Sequence, residues 1–130
     1  MAAVKASKAI QEGLDTITLY GTGNETRDFI HVEDIARAAL MIGENLPDSG
    51  FRQLNVASGQ ETSVAQVANS VVECLGGRVS PVFDGRCRPG DPRNWRADIT
   101  RLASLGAHPS MSFAEGLQQT VRWIARDLSL

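Results

Sequence analysis

Tyrosine occurs once in this chain, cysteine and histidine twice each, and aromatic residues make up only 5% of its 130 positions. Cys74 and Cys87 come with no secretory context, which favours two free thiols over a disulfide. Neither has a histidine at metal-ligand spacing. His31 and His108 lie far apart without an acidic or sulfur cluster, so a zinc site is not expected. No apolar run approaches the ~18 residues of a membrane span. The segment Met1–Gly13 has lysines at 5 and 8 but no apolar block of a secretory kind, so a cytoplasmic location is the expectation. The net charge of −2 argues against nucleic acid as the main partner, because backbone binding favours a basic face.

Lysine is scarce as well. Beyond Lys5 and Lys8 every basic residue is arginine, and Arg86, Arg88, Arg93, Arg96 and Arg101 fall in one short stretch. Arginine's planar fork grips phosphate in a bidentate way that lysine cannot match. A local phosphate site is one reading of that stretch, and a solvated charged loop is the other.

Length and hydrophobic content suit one domain over residues 1–130 with a core of its own. The first dozen residues read as a short helix closed by Gly13. Thr16–Tyr20 reads as a strand running into the turn Gly21–Asn24, and Asp28–His31 as a second short extended piece. From Val32 the period becomes helical, with Ile35, Ala38, Ala39, Ile42 and Leu46 recurring. Glu33 and Asp34 then fall in the first turn, where the macrodipole favours anions. Residues 47–50 break that helix and Phe51–Ala57 alternates as a strand should. Ser63 with Gln66 forms a capping box ahead of a helix that Gly76 and Gly77 end. Val79–Phe83 is another short strand. Residues 84–96 form a long polar loop, of the kind that often carries function. Asp98 can cap a short helix ending at Gly106. Ser112 and Glu115 open the last helix, with Phe113, Leu117, Val121, Ile124 and Leu128 on one face and Trp123 packed beside it. The sum is about five helices and four short strands in mixed order. The class is α/β or α+β, and the strands are too few for a doubly wound sheet.

Two runs carry a resemblance. Arg27-Asp28-Phe29-Ile30-His31-Val32-Glu33-Asp34 precedes an amphipathic helix, and Arg88-Pro89-Gly90-Asp91 precedes Ala97-Asp98-Ile99 and a helix ending in Leu-Gly. Together they resemble the C-terminal, substrate-binding part of extended short-chain dehydrogenases/reductases, the NAD-dependent nucleotide-sugar epimerases and dehydratases. The resemblance covers nearly everything from Leu19 onward, with the strand of residues 55–59 returning to the cofactor domain's sheet. It implies that Arg27 looks toward the diphosphate of a nucleotide-sugar, that Arg88 is a second diphosphate ligand and that Asp91 bonds the ribose hydroxyls. The plain alternative for Arg27 is a surface pair with Asp28, which would be worth little. Trp95, in the same loop, can stack on a base or sugar or serve as a hydrophobic peg. His31 in such a motif is a structural hydrogen-bonder, without a catalytic role.

What the family's chemistry needs is not found in these residues. The family implies a Tyr-x-x-x-Lys pair, yet Tyr20 is followed four residues on by Asn24. Gly21-Thr22-Gly23 follows a strand, but the third glycine of G-x-G-x-x-G is missing and no helix follows, so a tight turn is the better reading. No cofactor is expected in this chain alone, although the complete family uses NAD, and no autonomous catalysis is expected by that mechanism. The chain begins where a preceding cofactor domain would have ended. In a complete member, the helix from Val32 and the strand Phe51–Ala57 would pack on that domain. Ile35, Ile42, Leu46 and the strand edge are therefore expected to be exposed and to need a cover. A second copy, giving a homodimer or larger assembly, is the first candidate, and a separate cofactor-binding chain is the rival. The expected role is nucleotide-sugar binding. Its alternatives are half of a split epimerase, dehydratase or reductase, or a remnant with only a structural role.

Overall fold

A computed structural model describes residues 2–45 and 51–127. It places α1 at Ala2–Gln11, β1 at Thr16–Leu19, β2 at Thr26–Arg27 and α2 at Val32–Asn45. There follow β3 at Thr62–Ser63, α3 at Val64–Cys74, β4 at Ser80–Phe83, α4 at Thr100–Ser104 and α5 at Phe113–Asp127. The mixed α/β class with five helices and a few short strands is as the sequence predicts. Leu46, the break at 47–50 and Leu128 lie outside the described residues.

The strands form two separate pairs. β1 and β4 run parallel, with Thr16 opposite Ser80 and Leu19 opposite Phe83. β2 and β3 are antiparallel, with Thr26 opposite Ser63. Parallel neighbours need a long crossover, and here the crossover includes β2, α2, β3 and α3. The main core lies over the β1–β4 pair. Ala3, Ala6 and Ala9 of α1 meet Ile17, Leu19, Val79, Ala68, Val71, Val72 and Val121 there. Alanine at three-residue spacing lets α1 come close to the sheet. A second, smaller cluster joins Ala38 of α2 to Leu102 and Ala107, with Met41, Ile42, Val56 and Ile99 packed around it.

The end signals operate as read. Ser63 Oγ accepts from Gln66 N–H while Gln66 Oε1 accepts from Ser63 N–H, a complete capping box. Ser112 and Glu115 make the same reciprocal pair at the start of α5. Gly77, with φ +67°, donates its N–H to Val72 O and closes α3. Asp98 works one residue early: its Oδ1 accepts from Thr100 N–H and Oγ1 while Ile99 occupies the cap position.

Four expectations need correction. Asp28–His31 is not a strand, because the ladder with β3 uses only Thr26 and Arg27. Phe51–Ala57 is not one either, since no described strand lies beside it to complete a ladder. Ile42 is not left bare, because it packs against the second cluster. Trp123 is 57% exposed rather than packed, since α5 turns Val121 to the core and a residue two positions on faces away.

Candidate functional site

The ends of β1 and β2 and the segment after β4 enclose a cleft of about 690 Å³. This is within the usual range for small-molecule sites. Local sequence explains its shape. After Leu19 the chain turns sharply at Gly21 and Gly23, with φ of +105° and +83°, conformations that glycine accepts without a Cβ penalty. A Cβ on Gly23 would also meet Phe83 Cε2 at 2.8 Å. Asp84 ties the far wall to this turn by accepting from Gly21 N–H at 3.2 Å, and Gly85 N–H donates to Gly21 O at 2.9 Å.

The cleft gathers three of the four residues singled out by sequence. Arg27, Arg88 and Asp91 all line it. Trp95 does not. Its neighbour Asn94 is in the wall, whereas the Trp95 side chain is 58% exposed outside it. Sequence reading did not single out Tyr20, Arg86 and Arg93 individually, yet they line the cleft as well. The signal for the arginines was their clustering. For Tyr20 it was a position at the end of a strand, next to the glycine turn.

The wall carries four arginines against two carboxylates. Glu25 is already committed within the turn, so the balance favours an anion. Arg88 stands over the Tyr20 ring, 5.6 Å from its centroid, a cation–π contact that holds the guanidinium without an acidic partner. Arg27 does not pair with Asp28. It donates from Nη1 to Thr26 O at 2.7 Å and to Pro92 O at 2.9 Å. Its remaining N–H groups have no acceptor among the described residues, so the same guanidinium can meet a ligand. Arg86 Nε lies 3.9 Å from Asp84 Oδ2, a loose pair at the surface.

The glycine turn has the geometry of an anion nest, and a side chain fills it. Glu25 accepts from Thr22 N–H at 3.0 Å, Thr22 Oγ1 at 2.9 Å and Gly23 N–H at 2.9 Å. Hydrogen bonds from the Thr22 backbone hold its carboxyl below the usual glutamate value. A pyrophosphate would have to displace that carboxylate, and the turn leads into β2 rather than a helix N-terminus. The residues of this turn therefore do not fit NAD.

Two acids behind the cleft organise the fold. Asp28 accepts from Ser58 N–H, Ser58 Oγ, Gly59 N–H and Ala97 N–H. Asp34 accepts from Ser110 N–H, Ser110 Oγ and Met111 N–H and pairs with Arg37 at 2.9 Å. His31 accepts weakly from Glu33 N–H, and its ring packs on Gly116 of α5, where a Cβ would come within 3.1 Å of Cδ2. Phe29 meets Phe113 with ring centroids 6.1 Å apart. The motif from Arg27 to Asp34 thus faces the cleft at its first residue and fastens the surrounding chain through Asp28, Phe29, His31 and Asp34. No group of three or more acidic, histidine or cysteine side chains suited to a metal occurs among the described residues. No described helix is long and apolar enough to cross a membrane.

Comparison with known proteins agrees with this layout. The family model for the NAD dependent epimerase/dehydratase family matches residues 2–57. GDP-L-fucose synthase 1 of Arabidopsis thaliana is 34% identical over 116 residues, 89% of this chain and 35% of the relative. dTDP-L-rhamnose 4-epimerase of Burkholderia thailandensis is 34% identical over 86% of this chain and 31% of its own length. The solved structure of MoeE5 in complex with UDP-glucuronic acid and NAD superposes with a TM-score of 0.78 at 32% identity, over 98% of this chain and 42% of that one. The chain spans about a third of the length of the curated relatives it matches. Motifs, fold and relatives agree that the chain is similar to part of the proteins of the NAD-dependent epimerase/dehydratase family.

Proposed function

We propose that residues 1–130 act as a single substrate-binding domain whose cleft takes the diphosphate of a nucleotide-sugar, without holding NAD or completing the reaction alone. The observation that carries this reading is the meeting of Arg27, Arg88 and Asp91, distant in sequence, in one arginine-rich wall. Arg27 and Arg88 supply fixed donors for the diphosphate and Asp91 an acceptor for ribose hydroxyls. Trp95, outside the wall, is proposed to stack only on a base or sugar that extends beyond the cleft. The structure of MoeE5 with UDP-glucuronic acid and NAD supports the choice of ligand class. The exposed free thiols Cys74 and Cys87 suit a reducing, cytoplasmic compartment.

A second reading has its own support. Val32 and Leu40 on α2 are 68% and 70% exposed, and Phe51 is 90% exposed at the start of residues 51–57, which belong to no described helix or strand. Exposed apolar side chains of this size favour a cover. A second copy of this chain is the proposed cover. A separate NAD-binding chain, making this half of a split epimerase, dehydratase or reductase, is the alternative.

Thermal unfolding against UDP-, dTDP-, GDP- and CDP-sugars, with NAD as control, tests the site. A ligand at ~100 times its dissociation constant stabilises by roughly 2.7 kcal/mol. The expected result is a shift with one nucleotide class and none with NAD; no shift with any sugar nucleotide would leave a structural role alone. Arg88→Ala should weaken that binding by about 1.5–3 kcal/mol, typical of a hydrogen bond to a charged group. An unchanged affinity would move the site elsewhere.

A further inference from the structure

The arginine-rich segment has no helix or strand to hold it between Asp84 and Ile99, yet it is fastened to one dipeptide at two places. At one end Arg27 Nη1 donates to Pro92 O at 2.9 Å, and the adjoining Thr26 N–H donates to Arg93 O at 2.8 Å. At the other end Asp28 Oδ2 accepts from Ala97 N–H at 3.2 Å. The same carboxylate is anchored by Gly59 N–H at 3.0 Å and Ser58 N–H at 2.8 Å, from the chain beyond α2. Arg93 and Asn94, which line the cleft, lie within the bracketed stretch; Arg88 and Asp91 lie just before it. Asp28 itself does not line the cleft.

We propose that Arg27–Asp28 is a two-point clamp on the arginine-rich segment, and that Asp28 is a positioning residue for the arginines of the cleft wall. A carboxylate suits this task because both of its oxygens accept, and bonds to an ionised acceptor are the strong ones. Asparagine at 28 has the same shape but turns an NH₂ donor toward one set of N–H groups that needs an acceptor. Lysine at 27 keeps the charge but not the planar fork that reaches two carbonyls while leaving other N–H groups for a ligand. The consequence for ligand binding rests on the reading of the cleft as a diphosphate site. The clamp itself does not, and it is tested without ligand.

The segment carries its own reporter, since trypsin cleaves after arginine. Native-state cleavage after Arg93 and Arg96 reads local release of the segment, and cleavage after Arg122, within α5, reads general unfolding. Asp28→Asn and Arg27→Lys should each raise cleavage after Arg93 and Arg96 about tenfold relative to Arg122, equivalent to about 1.4 kcal/mol of opening. Wild-type rates at both sites would overturn the clamp. So would an equal rise at Arg122, which would make these residues general stabilisers. Should Asp28→Asn not fold, hydrogen exchange in the unaltered protein decides. The Ala97 amide is expected to exchange far more slowly than the Asn94 amide, and equal rates would overturn the proposal.

Discussion

Asp34 is the one buried charged side chain among the described residues, and it shows how single side chains govern this molecule. Burial opposes its ionisation, but the hydrogen bonds from Ser110 and Met111, with the Arg37 charge, hold its carboxyl below the usual value of 3.8. A depressed folded-state pKa adds stability above the unfolded value, and that stability is lost as pH falls through the folded one. The wild type should therefore weaken below pH 3.8, and Asp34→Asn should flatten part of that loss in urea titrations at successive pH values. At neutral pH Asp34→Ala should cost about 1–3 kcal/mol, because Ser110 and Met111 are left with donors and no acceptor. In the sequence Asp34 is legible only as an acid in a first helical turn. Beyond the nearby Arg37, its partners Ser110 and Met111 are more than seventy positions away, and no local pattern announces them. Arg27, Arg88 and Asp91 were legible because their motifs are local. That they share a cleft wall with Tyr20 depends on how β1 and β4 pair.

Among the elements, the helices could be read closely and the strands only in part. Helix ends are written in a few adjacent residues, as in Ser63–Gln66 and the Gly76–Gly77 stop. Ser63→Ala should cost about 1 kcal/mol in equilibrium unfolding, the usual price of a lost N-cap. Gln66→Ala should cost less, since the Ser63 hydroxyl still caps. A strand is different, because it exists only where another strand pairs with it. Phe51–Ala57 has the alternation of a strand but no described neighbour, so it stays irregular. The Trp123 error is of the same kind: its helix was plain, but which face met α1 and α3 was set by packing.

At the scale of the whole molecule, the exposed apolar side chains on α2 are the proposed contact with a second copy. Val32, Ile35 and Leu40 lie exposed along the helix beside the buried Ala38. Sedimentation at micromolar concentration should show a dimer or larger species, and Leu40→Glu should shift it to monomer by placing a charge in the apolar contact. A wild-type monomer indifferent to Leu40→Glu would remove the second copy as the cover.

The parallel pairing of β1 with β4 also has a meaning in time. Residues 20–79 lie between those strands, and a loop of that span must close before the pair can form. Contacts so distant along the chain slow folding. One wall of the cleft precedes the closure in sequence and the other follows it. During synthesis the N-terminal wall emerges first and stands open until the arginines beyond β4 have left the ribosome. Under the proposed reading, ligand recognition waits on this pairing, because the cleft has both walls only once β1 and β4 have met.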